Sequence, residues 1–204
     1  LPGWSVDLSV DAQWNGLEAD LADFAYPKRY TVLAAAATSL QLKRVSLQGS
    51  LLYTHVTDVT RRQGTQAGTR NEFTPALVAS CKPLRRHDLS LRAFYKRIFR
   101  MPTFNDLYYT QIGNKNLKPE YTEQYDAGAV YAREWYGPKG SCRLEVQLDG
   151  YFNRVKNKIV AMPADNQFRW MMLNLGYVEI RGADAVATLG MTHGRLRATL
   201  RIAY

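Results

Sequence analysis

The side chains able to do chemistry are concentrated in one stretch. Residues Phe99 to Tyr109 read Phe-Arg-Met-Pro-Thr-Phe-Asn-Asp-Leu-Tyr-Tyr, and Gln111 and Gly113-Asn114-Lys115-Asn116-Leu117-Lys118-Pro119-Glu120 follow. The flat rings of Tyr108 and Tyr109 lie beside the amides of Asn105, Gln111 and Asn114 and the carboxylate of Asp106. A loop grips a large polar ligand with that combination. The same side chains could instead pack the loop onto its neighbours. Arg61, Arg62 and Arg70 form a second candidate, cationic and suited to an anionic ligand or a lipid phosphate, unless they are only solvated loop charges.

Other chemistries find no support. His55, His87 and His193 fall on different segments, so neither a haem nor a zinc site is indicated. No nucleophile elbow, metalloprotease helix, phosphate loop or dinucleotide fingerprint occurs, and no carboxylate pair is singled out by its surroundings. The reading is therefore no enzyme, no metal and no cofactor. Cys81 and Cys142 lack metal-site spacing and read as small apolar residues within strands; a disulfide between them is neither excluded nor implied.

The formal charge of +9 suits an anionic partner such as nucleic acid, lipid headgroups or lipopolysaccharide, but it is spread thinly and reads first as a solvated polar face. With 46% hydrophobic and 22% charged residues, a folded chain is indicated over a disordered one. The longest purely apolar run, Val32 to Ala37, falls far short of the roughly 20 residues a membrane helix needs. Alternating strands of a membrane barrel remain open, since they never show such a run. Leu1-Pro2-Gly3-Trp4 has neither the basic region nor the apolar core of a signal peptide, and reads as the middle of a longer chain.

The elements that must hold the candidate loop are strands. Trp4, Val6, Leu8, Val10, Ala12 and Trp14 alternate with Ser5, Asp7, Ser9, Asp11 and Gln13, giving one apolar face. Further strands are expected near Arg29–Leu42, Val45–Val59, Phe73–Lys82 and Asp88–Ile98. Others follow after Glu120, from Cys142 through Val160, from about Phe168 to Gly190, and from Leu196 to the end. Gly176 and Gly182 are expected to mark bulges or bends in the long eighth strand. The candidate loop, rich in Pro, Gly and Asn, is expected to be neither helix nor strand. The polar run from Arg61 to Asn71 is expected to be a mobile loop.

Connections alternate long and short along the chain, and the strands run to roughly 10 to 20 residues against roughly 5 to 6 in soluble sheets. Long connections on one rim and short ones on the other are the outer-membrane barrel pattern. About nine strands, ending without a closing turn, is an odd count for a barrel that closes with an even one, so a piece of a barrel is expected.

Three blocks carry a family resemblance. Arg100-Met101-Pro102-Thr103-Phe104-Asn105-Asp106-Leu107-Tyr108-Tyr109 with Gly113-Asn114 and Leu117-Lys118-Pro119-Glu120 is the first. Gly150 to Val160 is the second, and Asn174-Leu175-Gly176 with Ile180-Arg181-Gly182-Ala183-Asp184 is the third. In order and spacing they resemble the late barrel of TonB-dependent outer-membrane receptors, in particular the vitamin B12 transporter group and ferric siderophore receptors. The blocks cover about residues 85–204, and the first 80 residues match only in texture.

The resemblance implies an all-β fold: an antiparallel meander of about nine long strands, part of a roughly 22-stranded transmembrane β-barrel. Residues 1–204 would be a partial barrel domain, with plug, TonB box and the last strands outside it. It further implies active import of a scarce nutrient, cobalamin or a ferric siderophore, with energy reaching the plug through the TonB complex. Its surroundings would be the lipid of a Gram-negative outer membrane, with no nucleic-acid partner. Leu144, Val146 and Leu148 would then face lipid, and Arg143, Glu145 and Gln147 the plug-filled lumen. A passive pore or adhesin anchor shares the strand pattern, whereas a soluble β-sandwich binding module fits poorly with strands this long.

Overall fold

The computed structural model describes residues 3–20, 23–61, 66–109, 112–163 and 170–204. Among these residues nine strands are present: β1 (Trp4–Gly16), β2 (Lys28–Gln41), β3 (Val45–Val59), β4 (Arg70–Cys81), β5 (Asp88–Arg100), β6 (Glu120–Gly137), β7 (Gly140–Pro163), β8 (Trp170–His193) and β9 (Leu196–Ala203). They form one antiparallel sheet in the order of the sequence, a meander without crossovers. The strands match the expected ones to within a few residues at their ends. The predicted beginning of the eighth strand at Phe168, and its preceding turn at Asp165-Asn166, lie outside the described residues.

Cross-strand partners in an antiparallel ladder share a face, so the register carries a face from strand to strand. Leu91 pairs with Ala129, Ala129 with Leu148 and Leu148 with Ala185, an apolar row across four strands. One residue over, Arg92 pairs with Gly128, Gly128 with Asp149 and Asp149 with Asp184. The same alternation holds at the other edge, where Leu8 pairs with Ala36 and Ala36 with Leu51 while Asp7 pairs with Ala37 and Ala37 with Ser50. One face is thus apolar from β1 to β9 and the other largely polar. The register puts Leu144, Val146 and Leu148 on the first and Arg143, Glu145 and Gln147 on the second.

Neither face buries much within this chain. Leu8, Val10, Leu77, Leu148, Leu200 and Ile202 all remain exposed, and every residue of β1 and β9 is exposed. The buried apolar cluster of Ala67, Leu107, Tyr108, Leu117 and Ile159 gathers at one end of the sheet. That end carries the connections 17–27, 60–69 and 101–119, and β7 ends and β8 begins there, while 42–44, 82–87, 138–139 and 194–195 turn at the other. The rim bearing the long connections therefore has the little core there is. Among the described residues no helix is long and apolar enough to cross a membrane, which has no bearing on a crossing by strands.

The candidate loop departs from the expectation in one respect: it contains a short helix, α1 (Phe104–Tyr108). Thr103 and Asp106 close a capping box, Asp106 N–H donating to Thr103 Oγ1 at 3.2 Å and Thr103 N–H to Asp106 Oδ2 at 2.9 Å. Composition argues against a helix, but the local Thr-x-x-Asp cap satisfies the first turn's free donors and Pro102 ahead of it costs none. Of the two glycines expected to mark irregularities, Gly176 stands opposite Asn157, both skipped by the pairing between β7 and β8, and Asn157 has a φ of 56°. That is a break in the ladder. Gly182 instead stays in register, and its missing side chain leaves room for the Tyr151 ring.

Arg92 reaches across β6 to Asp149 at 2.6 Å because Gly128 intervenes. A Cβ on Gly128 would collide with Asp149 Oδ1. We expect Gly128→Ala to lower the urea stability of the refolded full-length barrel by about 1 kcal/mol, and Asp149→Ala in the same chain to abolish the effect of the glycine change. Additive losses would show that Gly128 has another role.

Candidate ligand-facing rim

Arg29 and Asp58 face each other across β2 and β3 on the polar side of the sheet. Arg29 clasps the carboxylate with both branches, Nε to Oδ1 at 2.7 Å and Nη2 to Oδ2 at 2.8 Å, and its remaining Nη1 donates to the Pro102 carbonyl at 2.9 Å. Its guanidinium also lies 5.0 Å from the centre of the Phe104 ring. Asp58 Oδ2 accepts a further bond from the Tyr108 hydroxyl at 3.1 Å, and that hydroxyl accepts from Ala67 N–H at 2.9 Å. A carboxylate with no exposed side-chain surface is thus satisfied by charge and hydrogen bonds together, as burial requires. The result pins the 101–119 and 60–69 connections to the strands.

A second knot lies on the other side of α1. Asn174 Oδ1 accepts from Lys118 N–H at 2.8 Å, while its Nδ2 donates to the carbonyls of Lys118 at 3.0 Å and Asn157 at 2.8 Å. Asn157 Nδ2 reaches the Pro119 carbonyl at 3.3 Å, and Glu120 accepts from Ile159 N–H at 3.1 Å and from Lys158 Nζ at 3.3 Å. The three sequence blocks singled out above therefore meet at one place. Asn114 ties in the loop's far end, donating from Nδ2 to the Met172 carbonyl at 3.0 Å and accepting from Asn116 N–H at 3.0 Å. Gly113 is required there, since a Cβ would lie 2.6 Å from the Tyr109 carbonyl oxygen.

Among the candidate residues, three are thus engaged in holding the loop: Asp106 in the helix cap, Tyr108 against Asp58, and Asn114 against Met172 and Asn116. They take the packing role that the sequence leaves open beside ligand contact. Asn105 and Tyr109, one helical turn apart, point away from the buried face of α1, and Tyr109 is 40% exposed. Arg61 is exposed with its guanidinium 4.2 Å from the Tyr26 ring centre, and Arg61 N–H donates to the Ala25 carbonyl at 3.0 Å. Arg62 and Gln111 lie outside the described residues, as do residues 63–65 of the connection expected to be mobile. Arg70 opens β4 and is exposed.

Sequence reasoning missed Arg29 and Asp58, and singled out Asn157 only as a member of the second resembling block. Arg29 and Asp58 are far apart in sequence, and the only signal is that both fall at polar-face positions of their strands. Asn174 and Glu120 stand out only as members of the resembling blocks. Among the described residues no group of His, Cys, Asp and Glu is placed to hold a metal ion.

Long antiparallel strands, an apolar outer face and long connections on one rim are the build of an outer-membrane barrel wall. The chain belongs to the TonB-dependent receptor family: the family model described as TonB dependent receptor-like, beta-barrel, matches residues 3–204. That family consists of outer-membrane receptors and transporters, not enzymes. A vitamin B12 transporter BtuB of Photobacterium profundum is 30% identical over 92 residues, 44% of this chain and 14% of the relative. The vitamin B12 transporter BtuB of Vibrio vulnificus is 30% identical over 89 residues, 44% of this chain and 13% of the relative.

Among solved structures, the hemophore receptor HasR of Serratia marcescens superposes with a TM-score of 0.71 at 15% identity, over 100% of this chain and 39% of that one. The copper transporter OprC gives 0.67 at 19% identity, over 100% of this chain and 35% of that one. These likenesses establish the fold. The chain spans little more than a third of either structure.

Burial pushes the Tyr108 phenol up to about 12 from its free value of 10.0, with the nearby Asp58 carboxylate adding to the shift and the Ala67 N–H opposing it. Because the folded value is the higher one, the contact's full contribution is present below pH 10 and is lost as pH rises from 10 to about 12. We expect phenolate absorbance from Tyr108, isolated by difference against Tyr108→Phe, to rise only near pH 12 in the intact receptor. Titration near 10 would place this hydroxyl in water. Replacing the buried partner, Asp58→Asn, removes the charge that Arg29 faces and is expected to weaken the loop by about 3 kcal/mol. Hydrogen exchange over 101–119 should accelerate accordingly while the mid-strand amides of β6 and β7 stay protected.

Proposed function

We propose that residues 1–204 are part of the barrel domain of a receptor that imports cobalamin or a ferric siderophore across a Gram-negative outer membrane, driven through the TonB complex. The observation that carries the reading is the rim itself. Three described connections are fastened to one another and to the polar face, leaving Asn105, Tyr109 and Arg61 free to meet a ligand arriving from outside. The relatives named vitamin B12 transporter favour cobalamin, and the cationic Arg61 suits an anionic siderophore.

In this reading the apolar face meets lipid, the polar face meets a plug contributed by other parts of the protein, and further strands pair with β1 and β9. The last point follows from hydrogen bonding: an unpaired strand edge in hydrocarbon leaves backbone groups without partners, so a wall of this kind closes into a barrel. Asn105, Asp106, Tyr108, Tyr109, Gln111, Asn114, Arg61 and Arg62 make up the proposed ligand-side region, within which Asp106, Tyr108 and Asn114 shape the loop.

The test is uptake by the whole receptor, expressed in a Gram-negative host stripped of its own cobalamin and siderophore receptors. Labelled cobalamin or a ferric siderophore should accumulate, and deletion of the host's TonB should stop it. The double change Asn105→Ala with Tyr109→Ala should weaken ligand binding roughly tenfold at unchanged receptor level. Accumulation of neither nutrient, or accumulation independent of TonB, would overturn the proposal.

A further inference from the structure

The outer face carries a charged row at one depth. On this face the rings of Tyr95 and Tyr125 lie 5.0 Å apart and those of Tyr125 and Phe152 6.2 Å apart, an aromatic belt across β5, β6 and β7. Below it, from Phe152 down to Cys142 on β7, every outward position is apolar or glycine: Gly150, Leu148, Val146 and Leu144. That is the run of about 9 to 11 residues with which a tilted strand crosses the hydrocarbon. The next outward row toward the long connections is Arg97, Glu123, Arg154 and Glu179, directly paired across β5 to β8. Lys156 stands one outward position above Arg154, and Arg181 pairs with Phe152 just below.

Four cations thus meet two carboxylates where the apolar band ends. Arg97, Lys156 and Arg181 belong to no ion pair among the described residues, and Lys156 and Arg181 are exposed. Arg154 Nη2 comes only to 3.7 Å of Glu179, whose Oε1 already accepts from the Tyr177 hydroxyl at 2.5 Å. Arg154 Nε is buried and has no hydrogen-bond partner. The Arg154 guanidinium is flanked by the Phe152 and Tyr177 rings at 5.7 and 5.5 Å, and that of Arg97 lies over Tyr121 at 5.2 Å. Ring contacts hold the planes in place while leaving their N–H donors outward.

The geometry points to a site for a phosphate-bearing headgroup of an outer-leaflet lipid, gripped by Arg154, Lys156 and Arg181 with Arg97 at its edge. Guanidinium and ammonium donors set just above an aromatic belt lie at headgroup depth, where a phosphate would supply the acceptors that Glu123 and Glu179 do not. This inference rests on the membrane orientation proposed above. It concerns the barrel's outer wall and not the nutrient, so the two can fail separately.

The experiment uses the whole receptor, purified in neutral detergent and titrated by native mass spectrometry with bis-phosphorylated lipid A and with its dephosphorylated form. The wild-type protein should retain the phosphorylated lipid selectively. Changing Arg154→Gln, Lys156→Gln and Arg181→Gln together should weaken that retention on the order of 100-fold, at about fivefold per cation. The matched change Arg143→Gln, on the polar face near the opposite rim, should leave it unaltered. Equal retention of the dephosphorylated lipid by the wild type, or unchanged affinity in the triple variant, would overturn the site. The selectivity arm depends on no variant folding. A receptor that binds the lipid this way yet imports no nutrient would refute the transport reading alone.

Discussion

The structure depends on backbone pairing between neighbouring strands, because the sheet has almost no core to hold it together. A soluble sheet covers at least one face with other elements of the same chain. Here the apolar face is open from β1 to β9 and the polar face is covered only at one rim. What stabilises such a wall is the ladder itself, and a ladder dominates where water cannot compete for its hydrogen bonds. Length follows from the same constraint, since strands must run unbroken from one interface to the other. The break in the long β7–β8 ladder, at Asn157 and Gly176, lies beyond the apolar band, on the rim side.

At the rim the physics changes from ladder to network. Asp58 is buried and charged, a costly combination unless its oxygens are paired, and Arg29 and Tyr108 pair both of them. The same three groups reach into two different connections, so satisfying one carboxylate also places α1. Asn174 acts similarly through its amide, which donates and accepts at once and so bridges segments whose own backbone groups have left the ladder. The loops are therefore ordered by electrostatic necessity as much as by the small apolar cluster beneath them.

This division assigns separate tasks to residues that look alike in the sequence. Tyr108 and Tyr109 are neighbours, yet one spends its hydroxyl inside the rim and the other stands toward solvent. Arg29, Arg61, Arg92 and Arg154 meet, in turn, a buried carboxylate, a tyrosine ring, a carboxylate two strands away and two aromatic rings on the outer wall. Their partners decide what each can do: Arg29 holds a loop and Arg92 braces the polar face, while facing a ligand and meeting a headgroup are the roles proposed for Arg61 and Arg154.

Strand number, order and facing were legible in the sequence because alternation has a period of two and a one-residue error would reverse every side chain. The split between Leu144, Val146, Leu148 and Arg143, Glu145, Gln147 was therefore determined locally, as was the alternation of long and short connections. The special character of the 99–120 stretch was also visible, from its aromatics and its Pro, Gly and Asn. Its helix was not, because a capping box of two residues outweighs composition only once the chain has turned. The pairing of Arg29 with Asp58, the burial of Tyr108 and the meeting of Asn157, Asn174 and Glu120 were decided by the tertiary structure alone. These contacts join residues far apart along the chain, and only the register of the sheet brings them within hydrogen-bonding distance.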